Sequence, residues 1–594
     1  MSPALNLLRS VFGYTNFIGK QAEIIDHILA QGNALVLMPT GGGKSLCYQI
    51  PALLLDGVCL VVSPLIALME DQVSSLLLLG IPAAILASTQ EPNHNFETLE
   101  KLKAGKLKLL YLTPERLVNP WFINFIKQIK ISLFAIDEAH CISHWGHDFR
   151  PEYQQLHKIT KLFPHIPRLA LTATADNFTR IDIIHSLQLH QAPIFITSFN
   201  RSNLFYATHE KRNAKQQLLS YLQRNPQSGI VYCNSRLRVE QISQYLNDNG
   251  IENYRYHAGL DNLTRKDQQQ YFLQQRSGVM IATIAFGLGI DKPDVRFVYH
   301  LDMPRSLEHF YQESGRAGRD GQYAQSIVNY GFKEIYQLAR LIYQSEASEL
   351  NKRYELDKLR KMLNYCDSLS CRRNILLVNL GEKTLEPCGY CDICLNPPQI
   401  MDGSVIAQKI LSTIYRTKQK FSASHIIDIL RGKASNYVQI WEHHKLSTFA
   451  LASEYSVQDL RRYIRQLYSQ GLIEINFTTN ALTLTDLSIP ILRGTQEVFF
   501  HLATTNKQLL NKPHTIWLRT ELEERILHNL FNWRHATAIR YKTSHHAILT
   551  DHSLYEIVRQ KPKRLEQLSL INGIGNSKLI NFGEQILQQI TQIN

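Results

Sequence analysis

The stretch "MPTGGGKS", Met38 to Ser45, lies between an apolar run and a helical pattern, the context in which a chain can hold a polyphosphate. Gly41, Gly42 and Gly43 let backbone N–H groups close around phosphate oxygens, and the following helix adds the positive end of its dipole. Lys44 is placed to reach the β- and γ-phosphates, and Ser45 to hold Mg2+. Met38 stands where the common phosphate-loop pattern has its first glycine. Further on, "AIDEAH" ends an apolar strand in two carboxylates. There Asp137 would enter the Mg2+ shell, and Glu138 would orient or deprotonate an attacking water. In "QESGRAGRDG", Gln312 to Gly321, Arg316 and Arg319 are three residues apart. On a helix they would share a face and could cross a cleft to the γ-phosphoryl group. Each motif alone has a bland alternative: a glycine turn, a solvated acidic loop, a basic surface. Together they describe nucleotide hydrolysis.

Two other clusters carry chemistry. After the carboxylates the chain reads "CISHWGHDFRPEY". Cys141, His144 and His147 have metal-ligand spacing, but three mixed ligands beside a Mg2+-binding aspartate make a poor zinc site. The remaining readings are a crowded turn and a nucleic-acid contact, for which Trp145 and Phe149 could stack on bases and Arg150 hold a phosphate. The better metal site is Cys371 with Cys388, Cys391 and Cys394, the last three closely spaced. Four thiolates suit tetrahedral Zn2+ with no open position, hence a structural role.

Positioning these residues requires several units. A chain of 594 residues exceeds one core. Through residue 340, short apolar runs alternate with helical patterns: 34–40, 58–64, 108–116, 133–139 and 168–175, then again 229–236, 254–260, 279–287 and 297–304. Runs ending in Pro, Thr, Ser or acid before a helix predict parallel sheets with function at the strands' carboxyl ends, in two tandem α/β units with a cleft between them. Residues 335–380 read as helical, 395–404 as a break, and 404–493 as helices followed by a hairpin, the pattern of a winged helix. That last segment holds 11 Lys and Arg against 6 Asp and Glu. The whole chain carries 64 Lys and Arg against 51 Asp and Glu, a cationic balance favouring a polyanionic partner. Nine cysteines, mostly isolated, argue for a reducing compartment. The N-terminus lacks a signal-peptide pattern, and Asp56, Gly57 and Pro64 break the longest apolar run, so the expected location is cytosolic with no membrane partner.

The ordered set "FGYTNFIGKQ", "MPTGGGKS", "SPLIALMEDQV", "DEAHCISHWGHDFRPEY", "LTATA", "YCNSR", "ATIAFGLGIDKPDVRFVYH" and "QESGRAGRDG" resembles the RecQ family of DNA helicases, in particular its bacterial members. The resemblance runs on through the cysteine cluster, the winged helix and the C-terminal helical unit. It implies an α/β multidomain chain. Two tandem RecA-like parallel-sheet domains (1–203 and 204–335) come first. A helical zinc-binding domain (336–400), a winged-helix or RQC domain (401–495), a linker (496–516) and a small all-α HRDC domain (517–594) follow. It implies ATP- and Mg2+-dependent 3′-to-5′ unwinding of duplex and branched DNA in recombination, repair and the DNA-damage response. Carried onto this sequence, the ATP contacts are Tyr14, Gln21, Thr40, Gly41, Gly42, Gly43, Lys44, Ser45, Gly289 and Asp291. The catalytic set is Lys44, Asp137, Glu138, Gln312, Arg316 and Arg319, with Mg2+ on Ser45 and Asp137. The aromatic-rich loop would contact single-stranded DNA and couple it to hydrolysis through His140, Trp145, His147, Phe149 and Arg150, and the four cysteines would bind zinc.

Some positions depart from the pattern or add to it. The family has Phe-Arg-x-x-Gln where this chain has Phe17-Ile18-Gly19-Lys20-Gln21. The arginine that packs on adenine is replaced by Ile18, which implies weaker ATP binding unless Lys20 compensates. The hairpin tip has one aromatic, Phe477, and so lacks the makings of a duplex-splitting pin. Bacterial relatives dock the acidic tail of the single-strand-binding protein on the winged helix, where Arg416 and Arg493 lie. Gly573-x-Gly575 reads as a tight turn between helices. The implied location is the bacterial cytoplasm, in association with the nucleoid. The alternatives are an RNA helicase, which shares the DEAH box, and a DNA-binding scaffold with a weakened ATPase; a DNA-versus-RNA tail competition and an ATPase assay separate them.

Overall fold

The computed structural model describes the chain except for residues 1, 40, 88–91, 144–148, 276, 288–291, 384–385, 477, 503–519, 542, 544 and 592–594. Seven short strands form the first sheet: β1 (Ala34–Leu37), β2 (Val58–Val62), β3 (Ala83–Leu86), β4 (Leu109–Leu112), β5 (Ile131–Ile136), β6 (Arg168–Thr172) and β7 (Ile194–Ile196). They lie in the order β3-β4-β2-β5-β6-β1-β7, with every pairing parallel. Strand side chains alternate between faces, so Leu35 and Leu37 join one core while Ala34 and Val36 join the other. Helices cover both faces, as a parallel sheet with continuous apolar strands requires. The order brings the carboxyl ends of β1, β6 and β5 side by side, with Leu37 opposite Thr172 and Ala135 opposite Leu169.

The second sheet contains β8 (Leu204–Glu210), β9 (Gly229–Tyr232), β10 (Asn253–Tyr256), β11 (Val279–Ala282), β12 (Phe297–His300) and β13 (Ala324–Tyr330), in the order β10-β11-β9-β12-β13-β8. All five pairings are parallel. Its outer face is a core of its own, but its other face does not end at the domain edge. One apolar cluster runs from Leu204 through Met362, Cys371 and Ile410 to Phe500, joining the second α/β unit to the zinc region and the winged helix.

Helices Phe332–Tyr343, Glu349–Asp367 and Arg372–Asn379 occupy the segment expected to be helical. The winged helix comprises Ser404–Arg416, Ala423–Leu430 and Val457–Ser469 with a hairpin of β15 (Ile473–Asn476) and β16 (Ala481–Leu484). A second antiparallel pair joins β14 (Ile400–Asp402) to β17 (Phe499–His501). Within the stretch expected to be a linker, 496–516, residues 499–501 are a strand, too short for alternation to reveal. Phe477 and residues 503–516 lie outside the described residues. The C-terminal unit packs helices Glu521–Arg540, Asp551–Gln560 and Asn576–Thr591 around one small core. Thr520 and Glu523 form a reciprocal cap at its start. Among the described residues no helix is long and apolar enough to cross a membrane.

Candidate functional site

The phosphate loop leaves β1 and enters helix Leu46–Leu54, whose preceding residue, Ser45, is already helical. Gly41 and Gly43 have φ of +81° and +77°, in the region that favours glycine. Lys44 Nζ donates to the Met38 carbonyl at 3.2 Å, folding its side chain back over the loop. Buried Gln21 braces the same loop from outside. Its amide donates to the carbonyls of Gly42 and Gly43 at 3.3 and 3.1 Å, while its oxygen accepts from Ile18 N at 2.9 Å. Ile18 is 69% exposed and Tyr14 40%, so the two residues expected beside adenine are open to solvent.

Asp137 and Glu138 follow β5. Tyr153 Oη donates to the Asp137 carbonyl at 3.1 Å, and Glu138 adopts a left-handed backbone with φ +47°. Burial, then the Glu138 charge, raises the Asp137 pKa, with Lys44 opposing. Burial would also raise Glu138, but His140, Lys44 and Arg316 more than offset it and hold the carboxyl below the usual range. A half-buried carboxylate pair close to the Lys44 charge of the phosphate loop fits a divalent cation. His140 Nδ1 lies 3.0 Å from Thr172 Oγ1 and 3.3 Å from Glu138 Oε2, linking β6 to the acidic pair.

The arginine motif comes to the same place from the other unit. A methyl group on Gly41 would sit 3.6 Å from Arg319 Cγ, so Arg319 lies against the phosphate loop. Arg316 is buried and close enough to Glu138 to lower its pKa. The two guanidiniums do not share a helix face: helix Leu307–Ser314 stops at Gly315, and Gly318 at φ +59° turns the chain. Gln312 is buried in the last turn of that helix.

Sequence reasoning missed the residues that hold this loop. Arg201 donates to the carbonyls of Gly315, Ala317 and Gly318 at 3.3, 3.1 and 2.8 Å. Asn203 donates to Gly318 and Gln322, each at 2.8 Å. Both stand in the connection between β7 and β8 that joins the two α/β units.

Of the aromatic-rich loop, Trp145 and His147 lie outside the described residues, as do Thr40, Gly289 and Asp291. The loop's flanks are anchored: Arg150 N donates to the Cys141 carbonyl at 3.0 Å, and Arg150 Nη1 to the Pro64 carbonyl at 2.9 Å. Pro64 is the second residue of the "SPLIALMEDQV" segment, so Arg150 ties two motifs together, and Phe149 stands beside it, half-buried. Arg416 and Arg493 are exposed at the ends of their helices.

The four cysteine sulfurs, from Cys371, Cys388, Cys391 and Cys394, all lie within 4.8 Å of one another. Backbone N–H groups donate to sulfur, Cys388 N to Cys371 Sγ and Tyr390 N to Cys388 Sγ, both at 3.3 Å, which favours thiolates. The donor set fits tetrahedral Zn2+. Asp392, beside Cys391, receives Arg372 Nε at 3.0 Å and Thr208 N at 3.0 Å, docking the site on β8.

Family models match in the order the fold shows: DEAD/DEAH box helicase over 19–181, helicase conserved C-terminal domain over 210–321, RecQ zinc-binding over 332–395, RQC domain over 397–508 and HRDC domain over 523–590. The chain is 40% identical to the ATP-dependent DNA helicase RecQ of Pasteurella multocida, over 99% of this chain and 94% of that protein. It is also 40% identical to the protein of that name from Haemophilus influenzae, over 99% and 96%. For the Bacillus subtilis protein the identity is 37%, over 99% and 98%. With site, fold and whole-chain similarity in agreement, the chain belongs to the RecQ family of ATP-dependent DNA helicases.

Proposed function

We propose that this chain hydrolyses ATP with Mg2+ to move 3′ to 5′ along single-stranded DNA, opening duplex and branched DNA during recombination, repair and the damage response. The observation that carries the mechanism is the approach of Arg319, from the second α/β unit, to Gly41 of the first, with the Arg316 charge adding to the lowering of the Glu138 pKa. Lys44 and the loop of Thr40, Gly41, Gly42 and Gly43 hold the phosphates, and Gln21 and Tyr14 flank adenine. Ser45 and Asp137 would hold Mg2+, which when bound neutralises developing phosphate charge. Glu138 orients the attacking water, with its charge maintained by His140. Arg316 and Arg319, with Gln312, complete the site only when the units close, so hydrolysis and domain movement are linked. Gly289 and Asp291 are assigned to the ATP side of the second unit.

His140, hydrogen-bonded to Thr172 and within ion-pair distance of Glu138, supports a coupling route from the loop of Trp145, His147, Phe149 and Arg150, where bases would stack and a phosphate bind. The basic winged helix is assigned duplex binding. Exposed Arg416 and Arg493 support docking of an acidic tail of a single-strand-binding protein there. We assign the protein to the bacterial cytoplasm with nucleoid association. The domains are divided at 203, 335 and 400, with the winged-helix unit extended to 502 and the HRDC unit from 517.

Arg319→Ala tests the closure. It should bind ATP as the wild type does and lose DNA-stimulated hydrolysis by roughly 10³-fold, the effect of removing an arginine finger. Hydrolysis within about twofold of wild type would place the transition-state charge on other groups.

A further inference from the structure

The Gly573-Ile574-Gly575 turn is seated on another part of the chain. Gly573 N donates to the Gly13 carbonyl at 2.8 Å. A methyl group on Gly575 would lie 2.4 Å from the Val11 carbonyl oxygen and 3.0 Å from that of Ser10. One on Gly13 would lie 2.5 Å from Gly575 N. The two backbones touch, and each side of the contact has room only for glycine. A second anchor lies beside it: Ser577 Oγ donates to the Leu79 carbonyl at 2.8 Å, and Leu78 packs against the core of the C-terminal unit.

The surface contacted leads directly into the adenine side. Residues Leu8–Phe12 form a π-helical turn that Gly13 closes at φ +75°. Tyr14 N donates back to the Leu8 carbonyl at 3.2 Å, and Arg9 Nε to the Thr15 carbonyl at 2.9 Å. A π-turn is an uncommon, weakly favoured backbone that needs support. Phe12 supports it from the core, and the Gly573–Gly575 turn supports it from the opposite side.

We propose that the Gly573-Ile574-Gly575 turn is a positioning element of the nucleotide site: seated on Ser10–Gly13, it fixes the backbone that presents Tyr14 to adenine. This rests on the assignment of Tyr14 and Gln21 to the adenine side. None of the contacts just described involves Lys44, Asp137 or Glu138, so the turn acts on nucleotide binding and not on bond cleavage. Because Ile18 offers adenine no cation, Tyr14 carries a larger share of the binding here.

Gly575→Ala in the full chain is the direct test, since the nearest atoms to the new methyl all belong to Val11 and Ser10 and not to the core of its own unit. The ATP KM and the Kd of a fluorescent ATP analogue without DNA should both rise at least about threefold, with kcat at saturating ATP within about twofold of wild type. Ser577→Ala, which removes a single hydrogen bond and leaves the fold intact, should move both constants the same way by less; it decides the matter if the glycine variant fails to fold. Unchanged KM and Kd in the variants that fold, or a raised kcat at unchanged KM, would overturn the proposal, the latter by making the contact a brake. A wild-type chain that hydrolyses no ATP would instead overturn the functional reading beneath it.

Discussion

Ile18 presents an exposed aliphatic chain on what is proposed as the adenine side, where the resemblance implied a guanidinium. Its backbone still serves, because Ile18 N holds the Gln21 oxygen and so aims the Gln21 amide at the phosphate loop. What is missing is the cation over the base, worth about 1.4 kcal/mol, or roughly tenfold in affinity. Ile18→Arg should therefore lower the KM for ATP about tenfold without raising kcat, measured by steady-state ATPase. An unchanged KM would discard the idea that a cation is missing there. Residues of this kind were legible because their chemistry needs consecutive positions: a phosphate loop or a DEAH box is complete within a few residues. Arg201 and Asn203 were not, because they act on carbonyls more than 100 residues away, and no local pattern marks a side chain whose partner is a distant backbone.

Elements show the same division. The apolar runs over β1, β5 and β6 were readable from sequence, and they position Lys44, Asp137 and Thr172 at neighbouring strand ends, whereas β3, β8 and β13 were not among the runs read. Three-residue strands such as β17 carry too little pattern, and the arginine motif's periodicity hid the glycines that end its helix. The cysteine cluster was legible in its ligands but not in its attachment, since Arg372, Asp392 and Thr208 come together only in the fold. Zinc measured by elemental analysis should be about one ion per folded chain. Cys388→Ala should lose it and release the β8 contact, lowering the thermal midpoint with a loss of soluble protein. Folded wild type without zinc would contradict the assignment.

At the scale of the molecule, the continuous core from Leu204 to Phe500 makes the second α/β unit, zinc region and winged helix one body. Its polar fastening is buried at Asp367 and Arg465 and half-buried at Glu210. Asp367 accepts Arg465 Nε at 2.8 Å, and Arg465 Nη1 reaches Glu210 at 2.9 Å, joining helix Glu349–Asp367, the winged helix and β8. Burial would raise the Asp367 carboxyl, but Arg465 and then His501 more than offset it and hold it at about 2, below the ordinary 3.8. A depressed carboxyl stabilises the fold above its unfolded pKa and loses that contribution as pH falls through the folded value. The thermal-midpoint difference between wild type and Asp367→Asn should thus be constant from about pH 8 to 5 and shrink from about pH 4 towards 2. A difference independent of pH would remove Asp367 from the fastening. Arg465→Ala removes the main cationic partner of buried Asp367, leaving His501 and Tyr330, and should cost about 3 kcal/mol.

All of these parts serve one claim, that closing two α/β units on ATP drives directed movement along DNA. It is tested most directly by ATP-dependent unwinding of 3′-tailed against 5′-tailed duplexes, with Lys44→Ala as control. The account predicts opening of the 3′-tailed duplex alone, abolished in the control. Binding of both substrates with ATP present and unwinding of neither would contradict it.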